Sequence, residues 1–290
     1  MPVLLTPHKP FYSRILQVRI VVAVVRGGLL IYGFAISTLD MGLLIYNNGY
    51  MELTERQKSI LEKLIEEYVK TAEPVSSGIL AEKHDFGVKP AMIRIEMEKL
   101  EKAGYLSQPF VSAGRIPTDK AYRLFVNNLL ERKEQGIGDK KSVGKIKQFT
   151  GVKEDRPKAT QELTRIISEL TSSLVLSYLP EENLFFKEGW SQIIREPEFE
   201  DSRVFESFAR MIDSWEKDII PEMDFSGEIK IFIGKENPSQ RSQDFSTIAG
   251  NISLPDKERG VMAIFGPKRM EYNKNIDIIN SIINIFSNDF

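Results

Sequence analysis

The strongest constraint on the fold of this chain is a series of three helical segments in residues 53–104, each with its own start and stop signals. Thr54 and Gln57 have the spacing of a capping box, in which the two side chains satisfy free amides at a helix start. The apolar residues that follow repeat with a helical period: Ile60, Leu61, Leu64, Ile65, Tyr68 and Val69. We therefore expect a helix that ends near Thr71, because Pro74 follows.

A second, shorter helix is predicted from Ser76 or Ser77 to about His84. Ser76 is a favourable N-cap residue, and Val75 and Leu80 have the spacing of a hydrophobic staple around it.

The third helix is predicted to begin at Pro90, which suits a first helical position because no amide is needed there. Gly104 is the expected stop signal. The predicted inner face is apolar: Ile93, Met97 and Leu100. The outer face then consists of Ala91, Ile95, Glu98 and Lys102. Three glutamates, Glu96, Glu98 and Glu101, favour entry of only the N-terminal end of this helix into a DNA groove.

Residues 105–118 predict a two-stranded wing, because Pro109, Gly114 and Pro117 divide a short segment. A further helix is expected over residues 119–130. Three helices and a wing are the pattern of a winged helix-turn-helix, whose second motif helix fits the major groove of DNA.

The candidate DNA contacts lie on the third helix and beyond it. Ile95 would contact a thymine methyl group, Arg115 is expected at the wing tip, and the basic residues would reach phosphates or guanine edges. The complete predicted set is Lys89, Ala91, Met92, Arg94, Ile95, Lys99, Arg115, Lys120 and Arg123. Seven basic and four acidic residues between 88 and 123 give a local charge of +3, although the whole chain carries −2. The pattern alone also fits a small packed domain whose basic face is only solvated.

The composition narrows the possible functions. The chain has no cysteine, which excludes disulfides and thiolate metal sites and fits a reducing cytoplasm. Its two histidines, His8 and His84, lie too far apart in sequence to support a zinc site. We find no glycine-rich phosphate loop and no pairing of a nucleophile with a base, so neither an enzyme nor a cofactor is predicted.

The first fifty residues differ from the rest. Residues 15–36 are apolar, but Arg19 and Arg26 interrupt them, so they match neither a membrane-spanning helix nor a signal peptide. We expect Met51 to be the native start and residues 1–50 to be a non-native or disordered extension. The alternative is a weak membrane or interaction segment.

The remaining residues predict a second domain. Residues 136–158 are rich in Gly, Lys and Asp, a composition that predicts a linker. In residues 159–290 we expect three helices, namely the first part of 163–179, a helix capped by Asp201 or Ser202, and a C-terminal helix with an isoleucine stripe. Strands are predicted over 230–234, 245–252 and 260–265. The fold class is therefore α+β.

Several segments resemble the HrcA family of heat-inducible transcription repressors. The longest is Gln-Pro-Phe-Val-Ser-Ala-Gly-Arg-Ile-Pro-Thr-Asp-Lys-Ala-Tyr-Arg at 108–123. Shorter ones are Leu-Thr-Glu-Arg-Gln at 53–57, Glu-Pro-Val-Ser-Ser at 73–77, Ile-Arg-Ile-Glu-Met at 93–97, and Ile-Phe-Gly-Pro-Lys-Arg-Met-Glu-Tyr at 264–272. The resemblance implies a winged helix-turn-helix domain over 51–135 and a GAF-like α/β regulatory domain over 159–290. It further implies a cytoplasmic homodimeric repressor, not associated with membranes, that binds the CIRCE inverted-repeat operator and is assisted by the GroE chaperonin.

This chain departs from the family pattern at three places. The family usually has Asn where this chain has Ile95, and Arg where it has Gly78. Between Pro180 and Leu184 the chain passes directly from one family segment to a much later one. We therefore expect most of the inserted dimerisation domain, and some strands of the sheet, to be missing. The alternative function is a ligand-sensing regulator with a different operator, in which Arg269 would lie near a pocket.

Overall fold

The computed structural model describes residues 21–25, 28–32, 53–134, 156–223, 229–239, 242–253 and 259–287. The chain divides into two compact units, Met1–Glu52 and Leu53–Phe290. In the first unit, β1 (Val21–Val25) and β2 (Gly28–Tyr32) form an antiparallel pair. The prediction made for residues 1–50 falls mostly outside the described residues and stays a prediction.

The second unit begins with three helices, α1 (Glu55–Thr71), α2 (Ser77–Lys83) and α3 (Pro90–Lys102). The predicted capping box is present. The Gln57 amide donates to the Thr54 hydroxyl at 3.3 Å, and the Thr54 amide donates to Gln57 Oε1 at 3.0 Å. The hydroxyl of Ser76 likewise accepts a hydrogen bond from the Ile79 amide at 3.2 Å. Local capping chemistry therefore sets the starts of α1 and α2 where the sequence predicts them.

The predicted wing is a short antiparallel pair, β3 (Leu106–Ser107) and β4 (Ile116–Pro117). It leads into α4 (Asp119–Glu134), which is four residues longer than predicted. Residues 131–135 contain neither glycine nor proline, so the helix has no local reason to end at residue 130.

Among the described residues, the C-terminal part is built on five strands and four α-helices. The helices are α5 (Arg156–Thr171), α6 (Trp190–Ile193), α7 (Ser202–Ser214) and α8 (Tyr272–Ser287). The strands are β5 (Leu174–Leu179), β6 (Leu184–Glu188), β7 (Lys230–Ile233), β8 (Phe245–Ser253) and β9 (Arg259–Pro267). They form one antiparallel sheet in the order β6-β5-β9-β8-β7, which confirms the α+β class.

The sheet is covered by helices on both faces. Alternate residues of β5 face opposite ways, so Leu176 packs with the α6 and α7 side while Val175 packs with the α5 and α8 side. Ser177 also faces α5, where its hydroxyl accepts a hydrogen bond from Thr164 at 2.7 Å. All six residues of β5 are buried. The sequence predicts a helix at the start of residues 163–179 but does not predict this strand, because a strand buried on both faces shows no alternation of polar and apolar residues.

The predicted boundary of the linker needs correction. The linker is expected to reach residue 158, but α5 begins at Arg156; residues 135–155 lie outside the described residues.

The junction at 180–184 is a tight hairpin. Residues 180–183 connect β5 and β6, which pair with each other, Leu179 opposite Leu184. The sheet continues across this junction, and the expectation that some strands of the family's sheet are missing stays a prediction.

One hydrophobic core extends from the winged helix into the C-terminal sheet. It contains residues from α1, α3 and α4 together with residues from α5, β8 and α8. The rings of Tyr122 on α4 and Tyr272 on α8 lie 5.8 Å apart between their centroids. Lys268 donates to the Asp119 carboxylate at 2.9 Å beside them. The two domains thus share buried surface and ion pairs. Within the described ranges, no helix combines the length and hydropathy needed to cross a membrane.

Candidate nucleic-acid interface

Helix α3 is held by its inner face and presents its outer face to solvent. Ile93, Met97 and Leu100 are buried, as predicted. Six of the nine candidate DNA contacts lie on or next to this helix, and all six are exposed: Lys89, Ala91, Met92, Arg94, Ile95 and Lys99. The structure therefore brings these six residues together on the accessible side of α3.

At the N-terminal end of α3, an exposed lysine lies beside backbone amides that no side chain caps. Lys89 is the N-cap residue, its backbone is extended, and its carbonyl accepts a hydrogen bond from the Met92 amide at 2.9 Å. Its side chain is exposed and forms no ion pair within the part of the chain that the structure describes. Pro90 follows at the first helical position. A helix start with a free cation is a favourable position for an anion such as a phosphate.

The three glutamates of α3 are each engaged by a neighbouring cation. Glu96 is buried, and its carboxylate accepts hydrogen bonds from Gln57 at 2.9 Å and Lys99 at 3.1 Å. Burial opposes ionisation of this carboxyl, but the hydrogen bonds from Lys99 and Gln57 outweigh it and lower its pKa. Glu98 pairs with Arg94 at 3.4 Å on the surface. The negative charge that the sequence places on this helix is therefore largely compensated.

The predicted position of Arg115 at the wing tip is wrong. Its backbone pairs with Val75, and its side chain, which is 16% exposed, donates to Glu101 at 2.8 Å. Gly114 lies so close to the connection between α1 and α2 that a Cβ there would come within 2.5 Å of the Val75 carbonyl carbon. This close approach of two backbones places Arg115 at the base of the wing. A DNA contact by Arg115 stays a prediction.

Lys120 and Arg123 point toward the protein. Lys120 donates to the Ala103 carbonyl at 2.9 Å and lies over the ring of Tyr105, 4.3 Å from its centroid. Arg123 donates to the Ile231 carbonyl of the edge strand β7 at 2.7 Å and pairs with Glu236. Both residues connect α4 to neighbouring elements, so the structure does not bring them together with the exposed cations of α3.

The wing tip itself is apolar. Phe110 is 67% exposed and Val111 is 91% exposed, which makes them the two most exposed large hydrophobic side chains among the described residues. The turn is held by hydrogen bonds from the Gln108 side chain and from the Ala113 amide. Sequence reasoning missed both residues as candidates, although two large apolar side chains between Pro109 and Ser112 are an unusual composition for a turn.

Arg269 is bound within the protein. Its guanidinium donates to Glu198 at 2.6 Å, to Glu196 at 2.5 Å and to the Val69 carbonyl of α1 at 3.1 Å, so its donors join α1 to the C-terminal domain. A cavity of about 480 Å³ lies between α1, α4 and α8, and both Val69 and Met270 line it. Arg269 therefore lies next to this cavity without being one of its lining residues, and a role for it in ligand binding stays a prediction.

Helices α2 and α3, the wing and the exposed outer face of α3 define a DNA-binding protein of the winged helix-turn-helix class. Residues 52–131 match the family model "Winged helix-turn-helix transcription repressor, HrcA DNA-binding". Residues 126–276, more than half of the chain, match the model "HrcA protein C terminal domain". The chain belongs to the HrcA family.

Curated relatives that match this chain carry the HrcA name. The "Heat-inducible transcription repressor HrcA" of Thermoanaerobacter pseudethanolicus is 26% identical over 338 residues, which cover 82% of this chain and 97% of that protein. The protein of the same name from Alkaliphilus metalliredigens is 39% identical over 133 residues, 45% of this chain. Because 82% of 290 residues is about 238, about 100 of the 338 aligned positions have no counterpart here. This chain is thus shorter than its relatives.

A solved structure shares the fold. It is described as the "crystal structure of a hypothetical protein", and it is 18% identical to this chain with a TM-score of 0.64. The match covers 81% of this chain and 96% of that one. This likeness concerns the fold alone.

Proposed function

We propose that this chain is a cytoplasmic transcription repressor that binds a CIRCE-type inverted-repeat operator of chaperone operons and releases it on heat stress. The observation that carries the proposal is the outer face of α3, which is exposed while its inner face is locked into the core. An α-helix presented in this way fits the major groove. Occupation of the operator would block transcription sterically.

The N-terminal half of α3 is the part proposed to enter the groove. Lys89 would contact a phosphate, Ala91 allows close approach, and Met92, Arg94 and Ile95 would lie nearest the base edges. Lys99 follows one turn later, where its pair with Glu96 holds it beside the helix. The apolar wing tip would lie against the neighbouring minor groove, where apolar side chains can insert between base steps.

We propose that the repressor acts as a homodimer. An inverted repeat presents two half-sites related by a two-fold axis, and a two-fold dimer places one α3 on each half-site. About 100 positions of the relative that it matches along most of its length have no counterpart in this chain. Its dimer contact would therefore use surfaces of the winged helix or of the five-stranded sheet.

The shared core supports a mechanism for release on heating. Because α1, α3 and α4 share buried surface with α5 and α8, loss of packing in the C-terminal domain removes support from the DNA-reading helix. A change of 1–2 kcal/mol in the stability of a marginally stable domain is enough to shift its folded fraction several-fold. The GroE chaperonin is proposed to refold the repressor, so that its diversion to other clients on heating keeps the repressor inactive.

A binding titration tests the proposal. The full chain is titrated into a fluorescent CIRCE inverted-repeat duplex and into a scrambled duplex at two salt concentrations. We expect binding to the inverted repeat to be tighter by roughly a thousandfold and to weaken steeply with salt. Sedimentation of the complex should show two chains per duplex. Salt-insensitive binding, or no binding to either duplex, would contradict the proposal.

Ligand sensing is a second candidate function, and the cavity between α1, α4 and α8 favours it. Its volume of about 480 Å³ is within the range of small-molecule sites. Apolar residues line part of it: Val69, Phe125, Leu129, Met270 and Tyr272. A screen of small molecules by thermal shift tests this function, and Phe125→Trp, which would fill the cavity, should remove the shift caused by any compound that binds there.

A further inference from the structure

The exposed first half of α3 carries a pair of apolar side chains among its cations. Met92 is 39% exposed and Ile95 is 45% exposed, and a spacing of three residues makes them neighbours on the helix surface. No acidic residue occurs between Lys89 and Ile95 in the sequence. An apolar pair bordered by cations suits contact with a ligand that combines apolar groups with negative charge.

Two arginines near this surface differ in what they can offer to a base. Arg115 is only 16% exposed and donates to Glu101 at the base of the wing, so opening this pair would cost packing as well as charge pairing. Arg94 is 75% exposed, and only its Nε lies near Glu98, at 3.4 Å, so its guanidinium can still face a base edge or a phosphate. The first half of α3 therefore presents Lys89 and Arg94 beside a pair of apolar side chains.

Major-groove chemistry identifies the ligand that suits such a surface. Among the four bases, only thymine presents a methyl group in the major groove, while the others present donors and acceptors alone. We propose that Met92 and Ile95 read the 5-methyl groups of thymines, so that this chain selects its operator by apolar contact at these positions. The inference rests on the proposed function, because it requires that α3 enter the major groove.

The same surface could instead be covered by a protein partner. The position of the two residues favours DNA, because they follow directly after Lys89, whose side chain is exposed and unpaired among the described residues. In the major groove, phosphates border the methyl groups of thymines, so Lys89 could contact a phosphate while Met92 and Ile95 contact methyl groups. If the surface instead binds a protein partner, the affinity for DNA should not change when the methyl group of thymine is removed.

The test compares thymine with deoxyuridine, which lacks only the methyl group. The full chain first selects its preferred duplex from a library with a random central segment. The selected duplex is then synthesised with deoxyuridine in place of each thymine in turn, and affinities are measured by fluorescence anisotropy. We expect at least one position in each half-site where the loss of the methyl weakens binding by about fourfold.

Three variants connect this effect to the named residues. Ile95→Ala should remove the preference for thymine at the position that Ile95 contacts, while Ile95→Val should retain most of that preference. Ile194→Ala, which truncates an exposed apolar residue outside the winged helix and the sheet, should leave the preference unchanged. Circular dichroism and melting temperature show that each variant is folded.

The outcomes separate this inference from the proposed function. Selection of a specific duplex that binds equally well with deoxyuridine at every position overturns the inference and leaves the proposed function intact. A preference for thymine that survives Ile95→Ala together with Met92→Ala also overturns it. Failure to enrich any duplex overturns both the inference and the proposed function.

Discussion

Arg115 donates to the carboxylate of Glu101 at 2.8 Å and thereby joins the base of the wing to the last turn of α3. The Arg115 side chain is only 16% exposed. The backbone of Arg115 is simultaneously bridged to Val75 between α1 and α2. One residue therefore fixes the wing, the reading helix and the preceding turn relative to one another.

Because Arg115 is paired and Lys89 is exposed, replacement of Arg115 should mainly lower stability, and replacement of Lys89 should mainly lower the affinity for DNA. Arg115→Ala should lower the free energy of unfolding by about 1–2 kcal/mol, because it removes a partly buried charged hydrogen bond. Lys89→Ala should change stability by less than about 0.5 kcal/mol, but it should reduce the slope of log affinity against log salt by about 0.9 per half-site. Urea denaturation and salt titrations measure the two effects. A reduced salt slope with unchanged stability in Arg115→Ala would instead make Arg115 a phosphate contact.

The guanidinium of Arg269 predicts that the two domains unfold together. Arg269→Met leaves Glu196, Glu198 and the Val69 carbonyl without their donor, so we expect a loss of about 2–3 kcal/mol. Calorimetry should show one transition at a lower temperature, with DNA binding lost in the same interval. Lys274→Met is the control, since its ion pair with Glu271 is exposed and should be worth less than about 0.5 kcal/mol. Two separate transitions would contradict the coupling.

Asn275 predicts a stabilised variant. Its side chain is fully buried on α8, and neither its Oδ1 nor its Nδ2 atom has a hydrogen-bond partner within the described residues. Asn275→Leu should raise the free energy of unfolding by about 1–2 kcal/mol, because an unsatisfied buried amide is removed. If heat releases the operator by unfolding, DNA binding should also persist to a higher temperature. The exposed Asn273 provides the control Asn273→Leu. A lower melting temperature for Asn275→Leu would show that ordered water satisfies this amide.

Stability should fall in mild acid. A hydrogen bond from Lys83 lowers the pKa of the buried Glu67 carboxyl below its ordinary value of 4.5. The native state therefore favours the ionised form, and its contribution is present above about pH 4.5 and is lost as pH falls through the lower native pKa. Urea midpoints measured from neutral pH downward should decrease over this window. Glu67→Gln should have lower stability at neutral pH and a flatter dependence, and an unchanged slope would contradict the assignment.

The wing tip predicts an effect on affinity without an effect on stability. Phe110→Ser and Val111→Ser replace strongly exposed side chains, so the melting temperature should barely change. Affinity for the selected duplex should fall by roughly fivefold or more if the tip buries apolar surface against DNA. Ile194→Ser is the control outside the winged helix and the sheet. Full affinity in both tip variants would show that the tip does not contact DNA.

The sequence predicted the winged helix closely because its signals are local. Capping residues such as Thr54 and Ser76, the proline at position 90 and the apolar stripe of α3 each act within one or two turns of helix. The outer face of α3 follows directly from its inner face, so six exposed residues of the candidate interface could be named in advance.

The tertiary structure decided what the charged residues do. The sequence shows Arg115, Arg123 and Arg269 as free cations, because their partners Glu101, Glu236 and Glu198 are 14, 113 and 71 residues away. It also could not show that β5 is a strand, since burial on both faces removes the alternation on which strand prediction depends. Local backbone and capping chemistry is therefore determined by the sequence alone. Ion pairing and two-sided burial depend on which distant segments meet, and only the folded chain brings those segments together.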